Sequence, residues 1–399
     1  MDLLFPLAAG IAAGALGLVP FLHTNLLLQL TQNWFYGLGL AAFAAALAFS
    51  HSVFEIIPSV FLFVPSGGQA LSMLPAHELA MKGKAVLAAR TVLHSMLASF
   101  AAALALLPIG LVALPLLFDA VAPYSPFILI ALAASTFLAE KGKNAIAGIF
   151  IFLLSGAFGF LLFSFPIQKE PLFPLLSGLF GIPAVLLSFG GKPAKPEDEK
   201  GPKGFLADAR LVGAGAVLGM LSDLLPALSP AFVSSIALAF FEESPLAFLQ
   251  VNAAVISSKM LYDFVAVFSV GKARSGAAVA VQQAVIATDW SQFLIVIAAG
   301  AAAFFAALAV LLFASRKLAG VMASLGSRMN AVVLAIIVAA VFAYGGPAGL
   351  FTAGAATCIG LLPPLVGARR SHTMGALIVP SIVYSLGWAG PLALLVKTF

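Results

Sequence analysis

Apolar runs suited to crossing a bilayer recur from one end of this chain to the other, and that feature limits its fold more than any motif does. Stretches at 4–31, 35–64, 86–118, 126–140, 144–165 and 171–190 are followed, after one interruption, by 211–241, 245–270, 290–315, 329–345, 348–365 and 372–396. About 20 apolar residues in a helix cross a ~30 Å hydrocarbon core, and in lipid only helices or closed barrels satisfy their own backbone. Charged residues make up 9% of the chain, against about 25% in soluble domains. The chain therefore reads as an all-α polytopic membrane protein, with the lipid bilayer as its first partner. Its positive balance, 20 Lys and Arg against 15 Asp and Glu, then reports topology and not a nucleic-acid partner. No cationic run precedes the first apolar segment, since the first Lys is Lys82, so that segment is expected to be retained. Cys358 is the single cysteine; no internal disulfide forms, and its apolar surroundings mark it as packing.

The interruption is "GGKPAKPEDEKGPKGFLADAR", residues 190–210, rich in Pro, Gly and charge. It divides the chain into a first membrane repeat (1–190), a linker (191–210) and a second repeat (211–399). Similar length and equal element number on the two sides imply an internal duplication. "GALGLVPFLHTNLLLQL" in the first half and "GMLSDLLPALSPAFVSSIAL" in the second share an order of small residues, a proline, polar residues and an apolar return. Further on, a constant offset of 208 aligns Ser50 with Ser258, Glu55 with Asp263 and Gly68 with Gly276. The two blocks need offsets about two residues apart.

Charge sets the orientation. With Lys192, Lys195, Lys200, Lys203 and Arg210 of the linker held in the cytoplasm, an inverted second repeat puts fifteen Lys and Arg inside and four outside, Lys259 left aside. A parallel repeat gives thirteen and six. Positive-inside bias thus favours two inverted repeats with both termini outside. Lys272 and Arg274 are then outside. Inversion needs an odd number of crossings per half, and each half offers about five clear spans plus a Pro-broken first element. The simplest solution makes that element a re-entrant hairpin with its tip at mid-membrane. Gly10, Gly14 and Gly17 permit close helix approach, Pro20 cannot continue a helix, and irregular backbone at that depth is tolerated where protein or a watery cavity covers it.

Most acids fall at segment ends, in loops or in the linker. Glu55, Asp223 and Asp263 lie inside apolar segments, where a charge costs on the order of 2.5–3.5 kcal/mol, so such residues line pathways or pair. His51, Glu55 and Ser59 follow one another at four-residue spacing and share a face of an intact helix. Lys259 precedes Asp263 by four, with Ser258 and Tyr262 beside them. One interpretation is structural: an internal Lys259–Asp263 pair and a His51–Glu55 hydrogen bond. The other is functional: matched positions, Ser50 and Ser258 included, meet at the repeat interface around a substrate or a coupling ion. In that case His23, Thr24 and Asn25, just after Pro20, sit at the first tip and orient an anion toward backbone N–H groups. Ser229, with Ser222 or Asp223, answers them from the second. Half-helix ends aimed at a midplane site are a recurring device of secondary transporters. "VPSGGQ" (64–69) reads equally as a turn or as a small-residue wall facing ligand. His23, His51 and Glu55 form a conceivable two-His, one-carboxylate metal set, but no HExxH or CxxC accompanies them.

"GALGLVPFLHTN" (14–25), "SHSVFEIIPSVFLFVPSGGQALSMLPAH" (50–77) and the repeat-like "LLPALSPAFVSSIAL" (224–238) resemble the TctA-like family, in its archaeal branch. The family is the large membrane subunit of tripartite tricarboxylate transporters. The resemblance implies an extracytoplasmic binding protein and a small membrane subunit as partners, and a carboxylate as solute. Two departures stand out: Phe21 where the family usually has Gly, and Ser66, Gly67 and Gly68 where it often has acids. Phe21 narrows the tip, so the tricarboxylate itself is not carried over.

The leading expectation is a secondary transporter, not an enzyme, for a small anionic solute, working by alternating access without a cofactor. Pro20, His23, Thr24, Asn25 and Ser229 serve substrate, Lys259 contacts the anion or pairs internally, and Glu55 and Asp263 take a coupling Na⁺ or H⁺. Ser50, His51, Ser59, Asp223, Ser258 and Tyr262 complete the polar core. A translocase of a lipid-linked phosphate such as polyprenyl phosphate is the alternative, and an intramembrane metalloenzyme the third. A homodimer is compatible with all three.

Overall fold

The computed structural model describes residues 3–19, 24–31, 33–61, 75–76, 78–79, 82–138, 140, 142–165, 171–189, 207–224, 230–237, 244–286, 289–325 and 328–390. All regular structure among them is helical. In chain order the first half runs α1 Leu4–Gly14, α2 Thr24–Thr31, α3 Gly37–Phe54, α4 Ile56–Phe61, α5 Ala85–Ala105, α6 Leu107–Val121, α7 Ser125–Leu138, α8 Lys143–Ser164, α9 Leu172–Leu176 and α10 Ile182–Ser188. The second half runs α11 Ala209–Ser222, α12 Pro230–Ala237, α13 Pro245–Ser269, α14 Gly276–Ala284, α15 Trp290–Leu325, α16 Arg328–Val366 and α17 Gly375–Ser385. Seven described segments are long and apolar enough to cross a membrane: Gly37–Pro58, Ala85–Ala105, Leu107–Leu138, Lys143–Ser164, Pro245–Ser269, Trp290–Ser315 and Leu334–Val366.

Several boundaries differ from the sequence pattern, and prolines explain most of the shifts. The expected 86–118 run breaks at Leu106, because Pro108 opens α6 and offers no N–H to the turn before it. The α6–α7 segment is then one apolar rod with a 3₁₀ turn at Ala122–Tyr124. The expected break between 329–345 and 348–365 is present: α16 is two helices meeting at a kink at Gly346, φ +58, directly before Pro347. Only glycine adopts that φ without strain. Between α3 and α4, Glu55 is a turn residue; Pro58 cannot donate to the Phe54 carbonyl, which loosens the helix there. Helix α14 appears where the pattern suggested a connection, opened by Ser275, whose hydroxyl accepts the Ala278 N–H at 3.1 Å.

α3 and α13 are the two central helices. α3 is buried at every residue from Ala41 to Phe54, and α13 over most of its length. α3 is flanked by α1 of its own half and by α15 and α14 of the other; α13 is flanked by α11 and α12 of its own half and by α5 and α6 of the other. The halves are therefore intertwined. A cluster of phenylalanines closes the centre: Phe49 lies 5.1 Å from Phe264 and 5.7 Å from Phe100, and Phe100 stacks on Phe304 at 4.1 Å. A second core joins α7, α8, α9, α16 and α17. Large apolar residues on the outside, such as Leu116, Phe127, Phe150, Phe313 and Phe351, suit lipid.

In lipid, helix association depends on close packing more than on hydrophobic drive, and here the two halves use the same contact. A Cβ on Gly10 would meet Ala46 Cβ, the Phe43 carbonyl and the Leu47 nitrogen; a Cβ on Gly215 would meet Ala254 Cβ, the Val251 carbonyl and the Val255 nitrogen. One turn on, Gly14 faces Ser50 Oγ and the His51 nitrogen, and Gly219 faces Ser258 Oγ and the Lys259 nitrogen. The offset is 205 between the glycines and 208 between their partners. The register inferred from Ser50 and Ser258 thus recurs as packing, with the first block shifted by three residues and not by the two expected. Beyond this contact in each half lies a proline-containing stretch, 20–23 or 225–229, outside the described residues. On the far side α2 and α12 resume, 8 residues each, about 12 Å at 1.5 Å per residue and too short to span alone.

Candidate functional site

The ionisable groups in and at the end of the central helices gather in two places, at equivalent positions along α3 and α13. The second-half cluster is the fuller one. α13 carries Lys259 and Asp263 one turn apart, and α11 ends at Ser222 and Asp223. Lys259 Nζ donates to Asp223 Oδ1, an ion pair between side chains 23% and 1% exposed. The expected Lys259–Asp263 pair is therefore replaced by one between elements: the ammonium reaches across to the close-packed α11. Asp263 Oδ1 accepts instead the Arg274 backbone N–H at 3.1 Å, and Arg274 Nη2 donates to the Leu224 carbonyl at 3.2 Å. Asp223 Oδ2 is buried without a hydrogen-bond partner among the described residues. Tyr262 OH donates to the Ala103 carbonyl of α5 at 3.2 Å, its ring against Gly110 of α6. Ser258 Oγ donates to the Ala254 carbonyl at 3.0 Å and lies 3.3 Å from the Gly215 carbonyl. Its role in the structure is to fasten α13 to α11.

In the first half, Ser50 Oγ donates to the Ala46 carbonyl at 2.6 Å. His51 Nδ1 stands 3.6 Å from Glu55 Oε2, ion-pair range but long for a hydrogen bond. His51 is almost wholly buried and Glu55 about one-fifth exposed. Thr24 opens α2, half-buried. Pro20, His23 and Ser229 lie outside the described residues, as does "VPSGGQ". Asn25 and Ser59 fall in α2 and α4, with side chains outside the description. Among the described residues no group of three or more His, Cys, Asp or Glu is placed to hold a metal ion.

Two features escaped the sequence pattern. Arg274 follows a Gly-containing turn and looks like an ordinary outer-loop charge; α13 ends at Ser269, so no continuous helix carries the spacing from Asp263 to it. Glu140, expected as a segment end, is 8% exposed and accepts from the second half: the Arg369 N–H at 2.9 Å, with His372 Nε2 at 3.1 Å from the same oxygen. His372 is fully buried and stacks on Phe137 at 5.5 Å. Asn144 Nδ2 adds a bond to the Gly367 carbonyl at 3.0 Å. The loops after α7 and α16 are thereby tied together.

Charged residues sunk into membrane helices either line a pathway or pair with one another, and a comparison over nearly the whole chain supplies the family. Residues 3–375 match the family described as the tripartite tricarboxylate transporter TctA family. The chain belongs to the TctA family. An uncharacterised protein of Methanocaldococcus jannaschii is 30% identical over 298 residues, 71% of this chain and 72% of that protein. No solved structure matches. As a TctA-family chain this is a multi-pass membrane protein and the membrane component of a transporter.

Proposed function

We propose that this TctA-family chain carries a small carboxylate anion across the membrane, coupled to Na⁺ or H⁺, by alternating access between two inverted repeats. One observation carries the reading. The same glycine-to-helix contact is built twice, and directly beyond it stand His51 and Glu55 in one half, Lys259 and Asp263 in the other. A purely structural protein has no need to repeat buried ionisable groups at matched positions, each costing free energy in hydrocarbon. Short helices on both sides of the proline stretches suit re-entrant hairpins whose tips meet at mid-depth. On this reading His23, Thr24, Asn25 and Ser229 contact the solute beside Pro20 and Pro226. Glu55 takes the coupling cation with His51, and the unpartnered oxygen of Asp223 is a better second acceptor than Asp263, whose Oδ1 is engaged. An extracytoplasmic binding protein would deliver the solute, and a small membrane subunit would complete the assembly.

The test is thermal stabilisation of the purified protein by a panel of carboxylates, inorganic phosphate and polyprenyl phosphate, with and without Na⁺ at two pH values. A ligand at a hundred times its Kd adds about 2.7 kcal/mol. Stabilisation by a carboxylate that depends on Na⁺ or low pH, and is lost in Asn25→Ala, is the expected result. Stabilisation by polyprenyl phosphate alone would replace this reading with lipid translocation.

A further inference from the structure

We infer that Arg274 is a substrate-binding residue: the guanidinium that receives a carboxylate group at the rim of the Asp223–Lys259–Asp263 cluster. The inference rests on the anion-carrier reading above and goes beyond it in naming the group that captures the anion.

Within the cluster, burial separates the charges. Asp223 and Asp263 are each 4% exposed, Lys259 is largely covered, and Arg274 alone is exposed. It stands at the boundary between the cluster and the surroundings. It is also held there. Its backbone N–H is taken by Asp263, one side-chain N–H by the Leu224 carbonyl, and its guanidinium carbon lies 5.9 Å from the centre of the Phe118 ring. A guanidinium has five N–H donors in a planar fork, and the Leu224 bond is the one hydrogen bond they make among the described residues. An immobilised fork with donors to spare matches a carboxylate, which accepts two parallel N–H bonds. Fixing the side chain in advance removes part of the entropy that binding would otherwise cost.

Charge and position agree. Lys272 Nζ lies 6.0 Å from the same Phe118 ring, so Lys259, Lys272 and Arg274 stand against two aspartates. In the register that aligns Ser50 with Ser258, the corresponding first-half residues are His51, Val64 and Ser66. The surplus positive charge therefore belongs to the second half alone, and a surplus of one sign beside low-dielectric walls draws in an anion. Leu224, which Arg274 grips, is the last described residue before the stretch with Pro226 and Ser229. The orientation expected from charge puts Arg274 on the outer face, where solute arrives.

The test uses the full-length protein in detergent, titrated calorimetrically with the carboxylates of the panel above, at 50 and 500 mM NaCl. Arg274→Gln leaves the backbone bond to Asp263 available and removes the fork. The expected result is a Kd at least tenfold higher, a salt dependence flatter than wild type, and partial recovery in Arg274→Lys. A folded Arg274→Gln protein with unchanged Kd and unchanged salt dependence overturns the inference and leaves the carrier reading intact. Should Arg274→Gln fail to fold, Arg274→Lys decides: it keeps the charge and loses the planar fork, and an unaltered Kd overturns the inference. A wild-type protein that binds none of the carboxylates overturns the carrier reading, and this inference with it.

Discussion

Replacing Lys259 by methionine strands a buried carboxylate, and its cost can be worked from the cluster. Asp223 has a side chain 1% exposed, with one oxygen on the Lys259 ammonium and the other unpartnered. Removing one member of a buried ion pair costs about 3–5 kcal/mol, because the remaining charge is left uncompensated. Asp223→Asn alone should cost less, since Lys259 is 23% exposed and Asp263 stands one turn away as a second counter-charge. The double variant Asp223→Asn/Lys259→Met removes both charges and leaves Asp263 with its bond from the Arg274 N–H. It should lie within about 1–2 kcal/mol of wild type, as paired removal from apolar surroundings often does. The cycle is read by equilibrium unfolding in mixed detergent–SDS micelles, followed by the fluorescence of the 3 tryptophans. A coupling energy of about 2 kcal/mol or more is expected. Single losses that simply add, to within ~0.5 kcal/mol, would refute the pairing and the argument from burial.

Further outcomes follow from other parts of the fold. Gly14→Ala and Gly219→Ala should each destabilise by about 1–3 kcal/mol, because the new methyl falls on Ser50 or Ser258 and on backbone; Gly213→Ala, with nothing within 4 Å of its Cβ, should be near neutral in the same unfolding assay. Glu140→Ala leaves the Arg369 N–H and the buried His372 ring without their carboxylate, and a loss of about 1–3 kcal/mol is expected; an unchanged melting curve would show that the tie between the loops holds nothing. Asp289, ahead of α15, has its carboxyl held below the ordinary 3.8 by the Ser291 hydroxyl and then by the Gln292 N–H. Its stabilisation is therefore complete above that ordinary value and fades as pH falls through the lowered one; wild type and Asp289→Asn should differ in melting temperature at pH 7 and converge at strongly acidic pH.

Much of the architecture was legible in the pattern, and the gaps have identifiable causes. Hydropathy located the central helices because α3 is apolar almost throughout and α13 is apolar on balance despite Gln250, Asn252, Lys259 and Asp263. It misplaced the boundary at Leu106 because Pro108 sits inside an apolar run, where composition gives no sign of a break. It passed over α14 because nine residues of GAAVAVQQA are too few and too mixed to resemble a span. In the candidate site, the four-residue spacing of His51 and Glu55 did bring them together. The same spacing leaves Asp263 one turn from Lys259 but unpaired with it, because the ammonium bonds to Asp223 of the neighbouring helix end. A helix that is apolar all round carries no stripe to say which side faces which neighbour. Partners drawn from other elements, such as Asp223 for Lys259 or Glu140 for His372, are invisible for that reason.

By itself the sequence determined the solvent and the helical class, and it pointed to the Ser50–Ser258 register that the glycine contacts repeat. Each follows from properties that act locally or additively: apolar length, charge content, and repeated residue order. Only the tertiary structure decided that α3 of one half is sheathed by α15 of the other and α13 by α5, and that Lys259 closes on Asp223. It likewise set Arg274 on the rim of a buried charge cluster. Those outcomes depend on the rotation of each helix about its axis, which for α3 and α13 is set in part by the glycines of α1 and α11 that let two backbones meet.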